Sequence, residues 1–413
     1  MFLENKIELI NNRCFTILPT KMKRILFDLT ATQPIGNIKF HGGGKYGIAV
    51  FKKLVEIAPQ SIAAYYNDEL YLDEEIVSLI KKNNIPTYKS CDMNILEAAQ
   101  SENNIVYTPI YGKRLANLSS DLTVLTTIHG LRSLEMPYDK YEKYYLDKGS
   151  VKLSPSKQLK DFLSTLPFIR KYKYNRSLQQ LRVMLRDNNL HFVTVSEHSK
   201  YSLLTFMPFL TAENIKVFYS PSTINPSINI SDKKNESGKY YLIVSGNRWL
   251  KNSVRAIKAL DQLFSERPNL EGKVIITGLK KKTDIAIPIV NKDRFIFKGY
   301  VDEMALKNLY QHAYALIYPS LNEGFGYPPL EAMHEGCPVL ASAIASLPEV
   351  CGDAALYFNP YLITEIKMRV LELEDENVRQ KCIERGRLRQ CLIEKRQSED
   401  LEKLCQYILS YLN

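Results

Sequence analysis

Several things are missing from this chain, and each absence excludes something. No stretch is apolar for the roughly eighteen residues that a membrane-spanning helix needs. The first residues show no basic, apolar and small-residue succession, so no cleaved leader is expected. The seven cysteines, Cys14, Cys91, Cys337, Cys351, Cys382, Cys391 and Cys405, form no C-x-x-C pair. An odd, scattered set points to thiols in a reducing compartment, hence the cytoplasm, rather than to zinc ligands or a disulfide framework. No internal repeat is visible, which argues against a solenoid. Glycine is scarce, 18 in 413 residues, so four glycines within "HGGGKYG", His41 to Gly47, stand out as a local signal.

What is present is ordinary for a globular protein of two or three domains: 45% hydrophobic and 24% charged residues. The net charge of +10 is unevenly placed. Residues 131–190 hold thirteen Lys/Arg against six Asp/Glu, seven of the ten excess positive charges, and are rich in tyrosine and phenylalanine. That composition suits either a solvated helical insertion or a surface that meets phosphates or an anionic membrane.

Alternating short apolar runs and amphipathic stretches predict a doubly wound α/β chain. Strands are expected at Lys23–Leu29, Ser61–Tyr66, Asn104–Ile110, Leu122–Ile128 and Phe192–Val195, with helices at Gly44–Ile57 and Asp73–Asn83. Val217–Tyr219 closes this half, and residues 1–21 read as an added arm. The polar stretch from Ser220 to Lys239 is the linker. A second series follows, with strands at Tyr240–Val244, Val274–Thr277, Arg294–Phe297, Ala315–Tyr318 and Val339–Ala341. Helices are expected at Val254–Phe264, from Asp302 to His312, and from Ile363 onward. The expected division is 1–225, 226–395 and a C-terminal helix, 396–413, returning to the first domain.

In open parallel sheets, ligands bind beyond the carboxyl ends of the strands, and three loops of the second half lie there. "SGNRWLKN" places Gly246, Arg248 and Lys251 before a helix whose free N–H groups favour an anion, with a diphosphate as the fitting guest and two plain surface cations as the alternative. "NEGFGYPPLEAMHEG" places Glu323 in a loop, with Gly324 and Gly326 allowing close backbone approach and Glu331 in the first turn of the next helix. Such carboxylates accept hydrogen bonds from sugar hydroxyls. "ASLPEVCGDAALYF", Ala345 to Phe358, reads as architecture. In the first half, His129 in "TTIHG" ends a strand at the cleft, and His198 in "SEHSK" falls on a helix face and is set aside. Gly42, Gly44 and Gly47 spell a dinucleotide fingerprint, with Asp68 about twenty residues on. That fingerprint needs its glycines directly after a strand, and "ATQPIGNIKF" intervenes. Gly42, Gly43 and Gly44 are therefore read as a loop at a helix start facing the second half, with Lys45 adding charge or facing solvent.

At these residues the chain resembles a known family. Gly299 to Pro360 resembles the retaining glycosyltransferases of family 4, of GT-B fold, which carry two glutamates eight apart, here Glu323 and Glu331. "VSGNRWLKN" resembles the family's cationic loop, and "TTIHG", "VTVSEHSK" and "HGGGKYG" resemble landmarks of its acceptor-side domain. The resemblance implies two Rossmann-like parallel-sheet domains facing across a cleft. It implies that Glu331 holds a ribose, that Glu323 and the N–H groups of Gly324, Phe325 and Gly326 hold the donor sugar, and that Arg248 and Lys251 stabilise the leaving diphosphate. His129 would meet the sugar from the opposite wall. No metal and no other cofactor are implied, and the chain has no Asp-x-Asp pair. No second-domain carboxylate stands as a covalent nucleophile, so retention by front-face displacement is expected. The partners implied are a nucleotide-diphospho-sugar and a glycan or lipid-linked acceptor, not nucleic acid. Segment 131–190, with Arg170, Lys171, Lys173 and Arg176, would rest on an anionic membrane, placing the protein at the inner membrane face. The C-terminal helix lacks the tryptophan often found near its start in the family. An NAD-dependent oxidoreductase and a catalytically silent sugar-nucleotide-binding protein are the alternatives.

Overall fold

The computed structural model describes residues 23–34, 42–102, 104–112, 122–145, 166–187, 189–224 and 238–412. The expected N-terminal arm, His41, residues 146–165 of the basic segment and 225–237 of the linker lie outside these residues.

The first half runs β1 (Ile25–Asp28), α1 (Gly42–Ile57), β2 (Ile62–Tyr66), α2 (Glu74–Lys82), β3 (Thr87–Lys89), α3 (Ile95–Ser101), β4 (Ile105–Thr108) and β5 (Val124–Ile128). It continues with α4 (Arg132–Glu135), α5 (Pro167–Met184), β6 (Leu190–Thr194), α6 (Glu197–Phe206) and β7 (Lys216–Val217). Its seven strands are ordered β3-β2-β1-β4-β5-β6-β7. The second half runs β8 (Tyr240–Ile243), α7 (Ser253–Glu266), β9 (Lys273–Thr277), β10 (Phe295–Lys298), α8 (Glu303–His312), β11 (Ala315–Tyr318) and α9 (Tyr327–His334). It ends with β12 (Val339–Ser342), α10 (Leu347–Cys351), β13 (Ala355–Phe358), α11 (Ile363–Glu372) and α12 (Glu376–Leu409). Its six strands are ordered β10-β9-β8-β11-β12-β13. The strand pairs are parallel in both sheets. Central strands such as Ile25–Asp28 and Ala315–Tyr318 are buried at every position, which is why they read as continuous apolar runs. Asp73 and Asp302 cap their helices as expected, accepting from Glu75 N and Ala305 N.

Each strand order reverses once, between β1 and β4 in the first sheet and between β8 and β11 in the second. At such a switch point the connections leave in opposite directions and open a crevice at the carboxyl ends of the strands. The loops after β8 and β11 carry Arg248, Lys251 and Glu323, and His129 directly follows β5.

One continuous helix, α12, passes across residues 395 and 396 and joins the halves. Its buried residues, Cys382, Gly386, Gln390, Ile393, Gln397, Asp400, Leu404 and Ile408, recur at helical spacing. Gly386 packs against Met333 of α9, while Cys405 reaches Val50 of α1. Between them, Gln397 Nε2 donates to Ser220 O and Asp400 accepts from Tyr219 N, holding the start of the linker.

The glycine stretch is not a loop. Gly42 to Gly44 form the first turn of α1, with thirteen residues between the end of β1 and Gly42. Without a tight strand-to-helix turn there is no dinucleotide fingerprint, and Asp68 is instead paired with Lys89 at 3.4 Å.

Candidate active site

Glu323 is the centre of the site. It is 5% exposed, and its Oε1 accepts from Lys251 Nζ at 2.5 Å, Tyr318 OH at 2.8 Å and Ser320 Oγ at 2.5 Å. Lys251 is itself buried, with Tyr318 OH as a second partner and its ammonium over the Tyr318 ring. Burial pushes the Glu323 carboxyl up, but the charges of Lys251 and Arg132 and these hydrogen bonds outweigh it and hold the carboxyl down at about 2. Burial pushes the Lys251 ammonium down. Glu323 opposes that shift, while Arg248 and Arg132 repel the ammonium. The carboxylate therefore gains more from the cluster than the ammonium does, because the Arg132 guanidinium favours the one and disfavours the other. Arg248, on the same loop, is exposed.

The first half meets this loop directly. His129 Nε2 donates to Pro109 O at 2.8 Å, and its ring packs edge-on against Tyr46 of α1 at 4.7 Å. A methyl group at Gly324 would lie 1.7 Å from the His129 carbonyl oxygen. Gly324 is thus required by the opposite half, whereas the sequence suggested room for a ligand. Gly324 O also accepts from Ser196 Oγ at 2.7 Å. Gly246 is likewise committed: its N–H bonds Thr277 O at 2.7 Å, and a Cβ there would strike Ile276 at 2.6 Å. Gly326 has φ +112 and precedes α9, where only glycine is unstrained. Phe325 is buried between Tyr219 and Tyr327.

Gly42 approaches the Tyr327 ring, with 3.7 Å between an added Cβ and that ring, so the N-termini of α1 and α9 converge. Both helix ends favour negative charge. Lys45 pairs with Glu303 of α8 at 3.5 Å. Glu331 lies beyond the first turn of α9, one correction to its expected position. Its carboxylate accepts from Thr223 Oγ1 at 3.0 Å and Tyr310 OH at 3.2 Å, which leaves lone pairs on both oxygens.

Four residues of the junction were missed or set aside in the sequence. Glu135 accepts from His198 Nε2 at 3.0 Å, Ser202 Oγ at 2.5 Å, Leu131 N at 3.0 Å and Asn322 Nδ2. Burial pushes its carboxyl up, and these bonds bring it down to about 2. His198 does lie on a helix, but it belongs to this bridge. Asn322 Oδ1, buried beside Glu323, has no donor among the described residues. Glu349, inside the stretch read as architecture, accepts from the N–H groups of Glu197 and His198 at 2.8 and 3.0 Å. Nothing local marks Glu135 or Glu349 as bridging residues, because their partners across the junction lie 187 and 152 residues away in the chain.

The basic segment divides in two. Asp139 clamps the buried Arg255 through both carboxylate oxygens at 3.0 and 2.8 Å, and Tyr145 OH accepts from Val254 N at 2.9 Å. Residues 139–145 are thus a strap on the second half, and the N–H expected to be free at the start of α7 is occupied. α5 presents Tyr174, Leu178 and Leu181 to the first-half core, with Phe168, Tyr172 and Val183 on its exposed side.

Two Rossmann-like parallel-sheet domains facing across a cleft are the GT-B fold. Residues 226–389 match the family "Glycosyl transferases group 1". The chain is 36% identical over 179 residues to the O-antigen chain mannosyltransferase RfbU of Salmonella typhimurium, covering 41% of this chain and 47% of that one. It is 28% identical over 228 residues to O-antigen chain mannosyltransferase B of Escherichia coli, covering 50% and 59%. The chain therefore spans about half the length of these relatives. In overall fold it is similar to WaaG, a glycosyltransferase involved in lipopolysaccharide biosynthesis, with TM-score 0.60, 14% identity and coverage of 93% and 99%. It is also similar to Anabaena HepE in complex with UDP and glucose, with TM-score 0.61, 14% identity and coverage of 94% and 100%.

Proposed function

We propose that the protein transfers a hexosyl group from a nucleotide-diphospho-sugar to a glycan or lipid-linked glycan in cell-surface polysaccharide synthesis, with retention of configuration and without a metal. The observation that carries this reading is the Glu323–Lys251 pair beside Arg248 at the switch point, facing His129 across the junction. Lys251 and Arg248 hold the diphosphate and offset the charge that develops as its bond to the sugar breaks. Glu323 and the loop amides at 324–326 orient the sugar, and Glu331 holds the ribose. The acceptor hydroxyl attacks the anomeric carbon on the face the diphosphate leaves, and its proton passes to the departing phosphate oxygen. Since the relatives named above are O-antigen chain mannosyltransferases, a mannosyl donor is the first to test. The test is release of nucleoside diphosphate from a panel of UDP-, GDP- and ADP-sugars, read with thermal stabilisation by each donor. Stabilisation without release would favour the silent binding protein, and no effect from any donor would remove the reading.

The division of labour follows: residues 1–225 take the acceptor, 226–395 the donor, and the C-terminal stretch ties them. α5 supports a membrane-facing role for the acceptor side. Its Phe168, Tyr172 and Val183 are 67%, 65% and 70% exposed and are flanked by Lys171, Lys173 and Arg176, a pattern suited to an anionic lipid surface. On this reading the protein works in the cytoplasm, at the inner face of the membrane.

A further inference from the structure

We propose that Arg132 is a phosphate ligand of the substrate cleft, the first half's counterpart to Arg248 and Lys251. The inference rests on the functional reading above and extends it to a residue that neither the family match, which covers residues 226–389, nor the cationic loop includes.

Three observations place Arg132 there. It opens α4, two residues after Gly130, where an added Cβ would lie 3.7 Å from Gly324 Cα. Glu135, at the end of the same turn, is bonded to Asn322, the neighbour of Glu323. Further on, the Asp139–Arg255 clamp and the Tyr145–Val254 bond fasten the strap to the second half. Arg132 is therefore held on both sides against the loop that carries Glu323. Its charge reaches both members of the buried pair, lowering the carboxyl of Glu323 and opposing the ammonium of Lys251.

The charge balance then identifies the missing partner. Glu323 Oε1 is taken by Lys251, Tyr318 and Ser320, and Glu135 by four donors. Among the described residues, neither the Arg132 nor the Arg248 guanidinium has a hydrogen-bond or ion-pair partner. Two guanidiniums from opposite halves, the half-buried Arg132 and the exposed Arg248, beside a buried ammonium, suit the non-bridging oxygens of a phosphate group, which the guanidinium fork matches in geometry. An anion bridging Arg132 and Arg248 would also relieve the repulsion both exert on Lys251. The phosphate has two possible sources, the donor's diphosphate or a phosphate on a lipid-linked acceptor.

The experiment uses the full chain as wild type, Arg132→Ala, Arg132→Lys and Arg248→Ala. Isothermal titration with UDP and GDP is compared with uridine and guanosine. A second arm titrates farnesyl diphosphate against farnesol, with nucleoside diphosphate present. Loss of roughly tenfold or more in affinity for the diphosphate, little change for the nucleoside, and partial recovery in Arg132→Lys supports the donor as source. The same selective loss confined to farnesyl diphosphate supports the acceptor. If Arg248→Ala weakens nucleoside diphosphate binding while Arg132→Ala changes neither arm, this inference alone is overturned. If the wild type binds neither UDP nor GDP, the functional reading falls and takes the inference with it.

Discussion

Glu323 Oε1 lies 2.5 Å from Lys251 Nζ, although the two residues are 72 positions apart. They meet because β8 and β11 are neighbours in the second sheet and both loops leave the same edge. Replacing Lys251 with Ala, or Glu323 with Gln, is expected to lower turnover by roughly 10²–10³-fold or more, as removal of one electrostatic stabiliser does. Steady-state release of nucleoside diphosphate, with circular dichroism as the fold control, checks it. Near-normal turnover in either variant would refute the assignment of the pair.

The pH dependence of donor binding has a definite sign. Burial, and then the charges of Arg248 and Arg132, depress the Lys251 ammonium, with Glu323 opposing. A diphosphate binds the protonated lysine, so affinity should fall as pH rises toward and through this lowered pKa. Nucleoside diphosphate titrations between neutral and strongly alkaline pH should show the decline starting below the ordinary lysine value, with the alkaline step absent in Lys251→Ala. An unaltered step in that variant would assign it to another group.

Acid stability should report the two buried carboxylates. Glu135 and Glu323 titrate near 2 in the folded chain against an ordinary 4.5. A depressed carboxyl contributes stability above its unfolded pKa and loses it as pH falls through the folded one. Chemical denaturation at successive pH values should therefore show stability dropping between 4.5 and about 2. Glu135→Gln should flatten that drop, and an equally steep profile would contradict the bridge.

Gly324→Ala should part the halves. Its Cβ would sit 1.7 Å from the His129 carbonyl, which the backbone on one side must yield. Overpacking of this kind costs about 1–3 kcal/mol. Small-angle scattering should show a larger radius of gyration with reduced turnover, while Ser346→Ala, which removes a donor to Glu323 O and Phe325 O from within the second half, leaves the radius unchanged.

Glu349→Ala removes the acceptor from two amides of the other half. The expected loss is about 1–2 kcal/mol, the range for a helix cap, read as a lower Tm. For the membrane reading, changing Arg170, Lys171, Lys173 and Arg176 together to Gln should abolish sedimentation with anionic liposomes and leave release of nucleoside diphosphate intact. Unchanged sedimentation would end that reading.

The sequence by itself determined the alternation of buried strands and amphipathic helices, because period and continuous burial are local properties. It also determined the chemistry of the second half. Arg248, Lys251 and Glu323 lie in two short loops, and Glu331 on the helix that follows the second, where composition is informative without a partner. The glycines were legible as special but not for the right reason. Gly42 begins a helix, Gly324 receives a carbonyl from the other domain, and Gly246 packs on β9, because the contacts that exclude a Cβ come from distant chain. Only the tertiary structure decided how the halves meet. Glu135, His198, Asn322 and Glu349 form a bridge, and residues 139–145 form a strap, through pairings separated by more than a hundred residues. A carboxylate on a short helix looks the same in sequence whether it faces water or caps the helix of another domain, and the difference lies in burial and in which donors the fold brings within 3 Å.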